Sequence, residues 1–179
     1  PTNDQLKKMT HISISFLRAV NSKGEIAMTQ GWENIEEVVS AAHYNDVKAI
    51  ISFGGGDYRV TSELMGISKN RQNLIKNIIG FIKKYNLDGF DCDWEPSWLD
   101  DKAEMESINN AITHHYIKFI KELRFAIDQE FGLTVPISVC RMHNDNLFKY
   151  CNFKHVIVAY ELPYYDVTVE IYRKVYGHE

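Results

Sequence analysis

What most restricts the fold of this chain is a change of hydrophobic period that recurs along it. Short β-branched runs at His11 to Leu17, Val47 to Phe53, Leu87 to Trp94, Leu133 to Val139 and Val156 to Tyr160 read as strands. Between them lie longer stretches with apolar residues three and four apart. Ile35, Val38, Val39 and Ala42 form one helical stripe, and Leu74, Ile75, Ile78, Ile79 and Ile82 form the next, with Ser68 placed as its N-cap. A third stripe of Met105, Ile108, Ile112, Tyr116, Phe119, Ile120, Leu123 and Ile127 marks a long helix that should stop near Gly132. Strands that alternate with helices predict a parallel sheet, with most strands buried on both faces. A doubly wound open sheet and a (β/α)8 barrel both satisfy this pattern, and periodicity does not choose between them.

Composition narrows the function classes. With 179 residues, 45% hydrophobic and 25% charged, the chain is expected to form one domain with a substantial core. Twenty basic residues against 24 acidic, a net charge of −4 and no basic run longer than a pair argue against a nucleic-acid binder. No apolar stretch approaches the roughly 20 residues that a membrane span requires. The first residues, Pro-Thr-Asn-Asp, contain neither a basic start nor an apolar signal core. Cys92, Cys140 and Cys151 lack metal-site spacing and are expected to be buried thiols, and His114 and His115 fall inside a helix without ligand spacing. Neither a cofactor nor a metal is implied, and a monomer is the working expectation.

The segment richest in chemistry is Leu87 to Pro96. On a strand of period two, Asp91, Asp93 and Glu95 project from one face, with neighbours about 6.5 Å apart, while Phe90, Cys92 and Trp94 face the other. Repulsion and partial burial of acids set this close favour retention of a proton by one of them, as a general acid requires. The same residue types could instead hold Mg²⁺ for phosphoryl transfer, or form a solvated acidic loop.

Asp88, Asp91, Asp93 and Glu95 fit every position of D-x-x-D-x-D-x-E, and the stretch Asp88-Gly89-Phe90-Asp91-Cys92-Asp93-Trp94-Glu95 resembles the strand-four hallmark of glycoside hydrolase family 18. That family comprises the chitinases and related endo-β-N-acetylglucosaminidases. Ser52-Phe53-Gly54-Gly55, about one βα repeat upstream, resembles the family's S-x-G-G at the end of strand three. His11 to Phe16 resembles strand two. Val156 to Glu161 resembles strand six and supplies Tyr160, with Tyr165-Asp166 as a rival placement. The resemblance runs to about Tyr165 and lacks candidates for strands one, seven and eight. It implies a partial (β/α)8 barrel of about strands two to six, read as a single domain over residues 1–179.

The resemblance also implies retaining hydrolysis of β-1,4-linked N-acetylglucosamine polymers, with the substrate's own acetamido oxygen as nucleophile. In that scheme Glu95 is the general acid and base, and Asp93 binds the acetamido N–H. Asp91 shares a proton with Asp93, Tyr160 donates to the acetamido oxygen, and Asp88 fixes the turn into strand four. Phe16, Ser52, Gly54 and Gly55 would border the sugar. Tyr58 and Trp98 offer stacking surfaces just past strand ends, as do Tyr164 and Tyr165, with Arg141 and His143 as further candidates. The alternatives within this resemblance are a non-catalytic, lectin-like binder of amino sugars and an endo-β-N-acetylglucosaminidase acting on N-glycans. Secretion or a cell-envelope location is the implied compartment.

Overall fold

The computed structural model of the chain describes residues 2–29, 31–55, 59–94, 102–132, 135–140 and 156–159. In chain order the elements are α1 (Asn3–Leu6), β1 (His11–Ala19), β2 (Ile26–Met28), α2 (Ile35–Tyr44), β3 (Lys48–Gly55) and α3 (Arg59–Gly66). They continue with α4 (Ser68–Tyr85), β4 (Gly89–Trp94), α5 (Lys102–Phe131), β5 (Ile137–Cys140) and β6 (Val156–Ala159). The strands form a single sheet in the order β2-β1-β3-β4-β5-β6. β1, β3, β4, β5 and β6 run parallel, and β2 folds back antiparallel on the end of β1.

All five expected strands are present within a few residues of their predicted bounds, and the three apolar stripes lie on α2, α4 and α5. The helix-facing side of the sheet is built from alternate strand residues. Ile14 and Leu17 of β1, Ala49, Ile51 and Phe53 of β3, Phe90 and Cys92 of β4 and Ile137 of β5 are all fully buried there. The Phe53 and Phe90 rings stack with centroids 6.1 Å apart. Leu74, Ile78, Phe119, Leu123 and Ile127 close the layer from the helices. Each Leu, Ile or Phe among them contributes about 1.5–3 kcal/mol on burial, so this layer is the main source of stability.

The other face departs from the expectation of strands buried on both sides. Ser13 is exposed, and Ser15, Ile50, Asp91 and Asp93 are only partly buried. Apart from Ile50, period-two alternation puts polar residues there, and polar side chains gain nothing from an apolar cover.

Two of the returns from helix to strand use a left-handed residue: Asp46 after α2 (φ 58°) and Asn86 after α4 (φ 51°). Asp and Asn tolerate this conformation better than most side chains, and it turns the chain sharply toward the next parallel strand. Gly132, at φ +67°, follows the end of α5 as the stop signal predicts. Ser68 is the first residue of α4 rather than its cap, since Ile67 occupies the cap position without a side-chain bond. The periodicity missed α1, α3 and β2, all too short to display a full repeat.

Candidate active site

The acids sit where β4 approaches its carboxyl end. Strand register sets Ser15 of β1 beside Ser52 of β3, Ser52 beside Asp91 of β4, and Asp91 beside Ser138 of β5. Two residues on, Gly54 pairs with Asp93. Asp91 and Asp93 therefore share the face away from the helices, as alternation predicts, while Phe90 and Cys92 are buried on the other. The Tyr116 hydroxyl of α5 donates to the Cys92 carbonyl at 3.1 Å, tying the long helix to the back of this strand.

Ser52 is 2% exposed, and its hydroxyl donates to Asp91 Oδ2 at 2.7 Å. A buried hydroxyl spent in this way fixes the rotamer of the neighbouring carboxylate. Gly54 and Gly55 have φ of 119° and 71°, a backbone that other residues rarely adopt, and a Cβ at Gly55 would lie 3.3 Å from the Phe16 ring. The two glycines thus give the end of β3 its shape and make room for Phe16.

Phe16 is the extra residue in a register shift between Ser15 and Leu17, and the Ser15–Phe16 peptide is cis. Its surroundings are polar and specific. The Trp32 indole N–H donates to the Ser15 carbonyl at 2.6 Å, and Phe16 N–H donates to Thr29 Oγ1 at 3.2 Å. Thr29 N–H in turn donates to the Phe16 carbonyl at 2.9 Å. Sequence reasoning missed Thr29 and Trp32. They follow β2, and nothing local in the sequence marks their pairing with residues 13 and 17 positions earlier.

Asp88 lies at the opposite end of β4 from the candidate site and makes a separate cluster. It accepts from the Ala49 N–H at 2.8 Å, from His43 Nε2 at 2.7 Å and from Lys48 Nζ at 2.9 Å. Burial pushes its pKa upward, but the Ala49 N–H, the Lys48 ammonium and His43 together outweigh this and hold the carboxyl below its ordinary value. The arrangement anchors the entry to β4, the structural place expected for Asp88.

Of the candidate residues, the structure brings together Asp91, Asp93, Ser52, Gly54, Gly55 and Phe16 toward the carboxyl ends of the neighbouring strands β1, β3 and β4. Glu95, Tyr160, Tyr58 and Trp98 lie outside the described residues, as do Arg141, His143, Tyr164 and Tyr165. Among the described residues no group of three or more His, Cys, Asp or Glu side chains is arranged to hold a metal ion, and no helix is long and apolar enough to cross a membrane.

A mainly parallel α/β sheet with carboxylates at the carboxyl end of a central strand, beside a glycine-rich turn, is the setting in which such folds place binding loops. Residues 1–169 match the model of Glycosyl hydrolases family 18, and the chain belongs to that family. It is 29% identical over 131 residues to a chitinase-like effector of Moniliophthora roreri, a match covering 73% of this chain and 32% of that protein. Among solved structures it resembles a chitinase from Bacteroides thetaiotaomicron, with TM-score 0.65 and 24% identity over 86% of this chain and 46% of that one. It also resembles the family 18 chitinase of Cycas revoluta in complex with (GlcNAc)3, with TM-score 0.60 and 24% identity over 78% of this chain and 40% of that one. The chain spans less than half the length of each of these three proteins.

Proposed function

We propose that this chain carries the acid-bearing part of a retaining glycoside hydrolase that cleaves β-1,4 bonds next to N-acetylglucosamine, as in chitin or chitooligosaccharides. The five parallel strands are then the second to sixth of a (β/α)8 barrel, and residues 1–179 are one domain of it. The observation that carries the reading is the pairing of Ser52 with Asp91 at 2.7 Å, with Gly54 and Asp93 in register beside them, inside the D-x-x-D-x-D-x-E run.

In this reading the substrate supplies the nucleophile. The acetamido carbonyl oxygen attacks the anomeric carbon while Glu95 protonates the departing oxygen; Glu95, now a carboxylate, then takes a proton from the water that opens the cyclic intermediate. Asp93 accepts from the acetamido N–H, which orients the attacking oxygen and stabilises the positive charge that develops on the ring. Asp91, held by Ser52, shares a proton with Asp93, and Tyr160 donates to the acetamido oxygen. Gly54 and Gly55 allow the sugar close to the backbone, Phe16 borders it, and Tyr58 and Trp98 supply stacking faces. The reaction calls for no metal or organic cofactor.

The test is hydrolysis of chitooligosaccharides by the full-length protein and by its Glu95→Gln variant. Loss of general acid and base catalysis is expected to lower turnover at least ~100-fold. Unchanged turnover in the variant removes Glu95 from the role. A second reading, non-hydrolytic binding of amino sugars, draws support from the relative described as a chitinase-like effector. Binding of chitooligosaccharide without any turnover in the parent protein would favour it.

A further inference from the structure

We propose that Arg18 is a sugar-binding residue of this site, donating hydrogen bonds to acceptor oxygens of a ring that sits over Gly54, between Arg18 and Asp93. The amino-sugar identity of the ligand rests on the function proposed above, whereas the placement of Arg18 does not.

The placement follows from register. Leu17 pairs with Phe53, and both are fully buried on the helix side. One residue further along each strand, Arg18 and Gly54 fall at the same level on the opposite face, and Gly54 pairs in turn with Asp93. Alternation agrees, because Leu17 and Ala19 are buried while Arg18 between them is partly exposed. Arg18, Gly54 and Asp93 thus form one row across three strands, spanning two strand spacings of about 4.8 Å each. The middle member has no side chain. A cation and a carboxylate therefore flank a position that carries no side chain, close to Asp91 and beside Phe16.

The state of the Arg18 side chain points the same way. Its Nε is buried and has no hydrogen-bond partner among the described residues. A buried donor left unmatched is costly and rare, and it marks a place where a ligand or water completes the site. The guanidinium carbon lies 5.9 Å from the centroid of the Phe16 ring, within cation–π range. That ring rests near Gly55, and the backbone on both sides of its peptide is held by Thr29 and Trp32. Arg18 is thus partly ordered before any ligand arrives, which lowers the entropy lost on binding. Its planar fork of donors matches an amide carbonyl or a pair of vicinal hydroxyls, and its charge offsets part of that of Asp91 and Asp93, which suits a neutral glycan.

The experiment compares the full chain with Arg18→Met, which keeps the apolar stem and removes every donor, and with Arg18→Lys, which keeps the charge and loses the fork. Affinity for chitotetraose is measured by titration calorimetry and stability by thermal unfolding. Arg18→Met is expected to weaken binding 10- to 100-fold while Tm holds or rises, since an orphaned donor leaves the interior; Arg18→Lys should recover only part of the affinity. Unchanged affinity in Arg18→Met overturns the proposal, as does a loss of affinity that accompanies a large fall in Tm. If the parent chain binds no chitooligosaccharide, the amino-sugar reading fails and Tm decides for Arg18. A fall in Arg18→Met then makes it a structural residue and overturns the proposal, whereas a rise supports a donor held ready for another ligand.

Discussion

At the scale of single residues, the acids of the D-x-x-D-x-D-x-E run divide by position along β4. Asp91 and Asp93 share the open face near the carboxyl end of the strand, whereas Asp88 precedes it and is bonded to Ala49, His43 and Lys48. Its folded pKa lies below the ordinary value of 3.8. The stability it contributes is therefore complete above that value and is lost as the pH falls through the lower folded pKa. Asp88→Asn is expected to cost about 1–3 kcal/mol at neutral pH and to flatten the acid limb of the stability profile, as checked by urea unfolding from pH 7 down to pH 2. Equal acid sensitivity in parent and variant would show that other carboxylates govern that limb. The division between the pair that shares the open face and the anchor was legible in part, because Asp88 lies at odd spacing from Asp91. Its partners were not, since they come from α2 and β3, 39 to 45 residues away.

At the scale of elements, one contact docks the sheet on α4 and another ties the helices to one another, and neither has a local signature. The β1–β2 hairpin docks its turn on α4, where the Asn77 amide donates to the Gly24 carbonyl at 2.8 Å. Gly24 has φ +89°, and a Cβ there would lie 2.7 Å from the Asn70 carbonyl oxygen and from the Leu74 nitrogen, both backbone atoms of α4. Gly24→Ala therefore combines conformational strain with a clash that no rotamer relieves. It is expected to destabilise by about 2–4 kcal/mol in chemical denaturation, whereas an effect below about 0.5 kcal/mol would mean that the hairpin moves away freely. The second contact is Arg71 of α4, 1% exposed, which donates to Glu122 of α5 at 2.7 and 2.9 Å and to the Met65 carbonyl at 2.7 Å. Arg71→Ala leaves Glu122 and that carbonyl without these donors. A cost of about 3 kcal/mol is expected, at the low end for a broken buried pair because the Glu122 side chain keeps 30% exposure. A double-mutant cycle with Glu122→Gln checks it, and an interaction energy near zero would contradict the clamp.

At the scale of the whole molecule, the sheet has a protected middle and weaker margins. β3 pairs with β1 on one side and β4 on the other, while β2 has three residues and forms one edge of the described sheet. Native-state hydrogen exchange is expected to be slowest for the amides of Ile51, Phe53, Phe90 and Cys92, and faster by orders of magnitude for Ile26 to Met28. Equal protection across the sheet would show that the edge unfolds only with the core. The same architecture accounts for the asymmetry of the two faces. Helices cover one side, and the polar row of Ser15, Ser52 and Asp91 crosses the other in register.

The order of strands and helices, the helix-facing core and the shared face of Asp91 and Asp93 were all readable from the chain. They depend on short-range periods, which any residue displays through its own spacing to its neighbours. The Ser52–Asp91 bond, the grip of Thr29 and Trp32 on Phe16 and the row from Arg18 through Gly54 to Asp93 were not readable in this way. Each depends on the register between strands tens of residues apart, and that register emerges only when the sheet assembles against its helices.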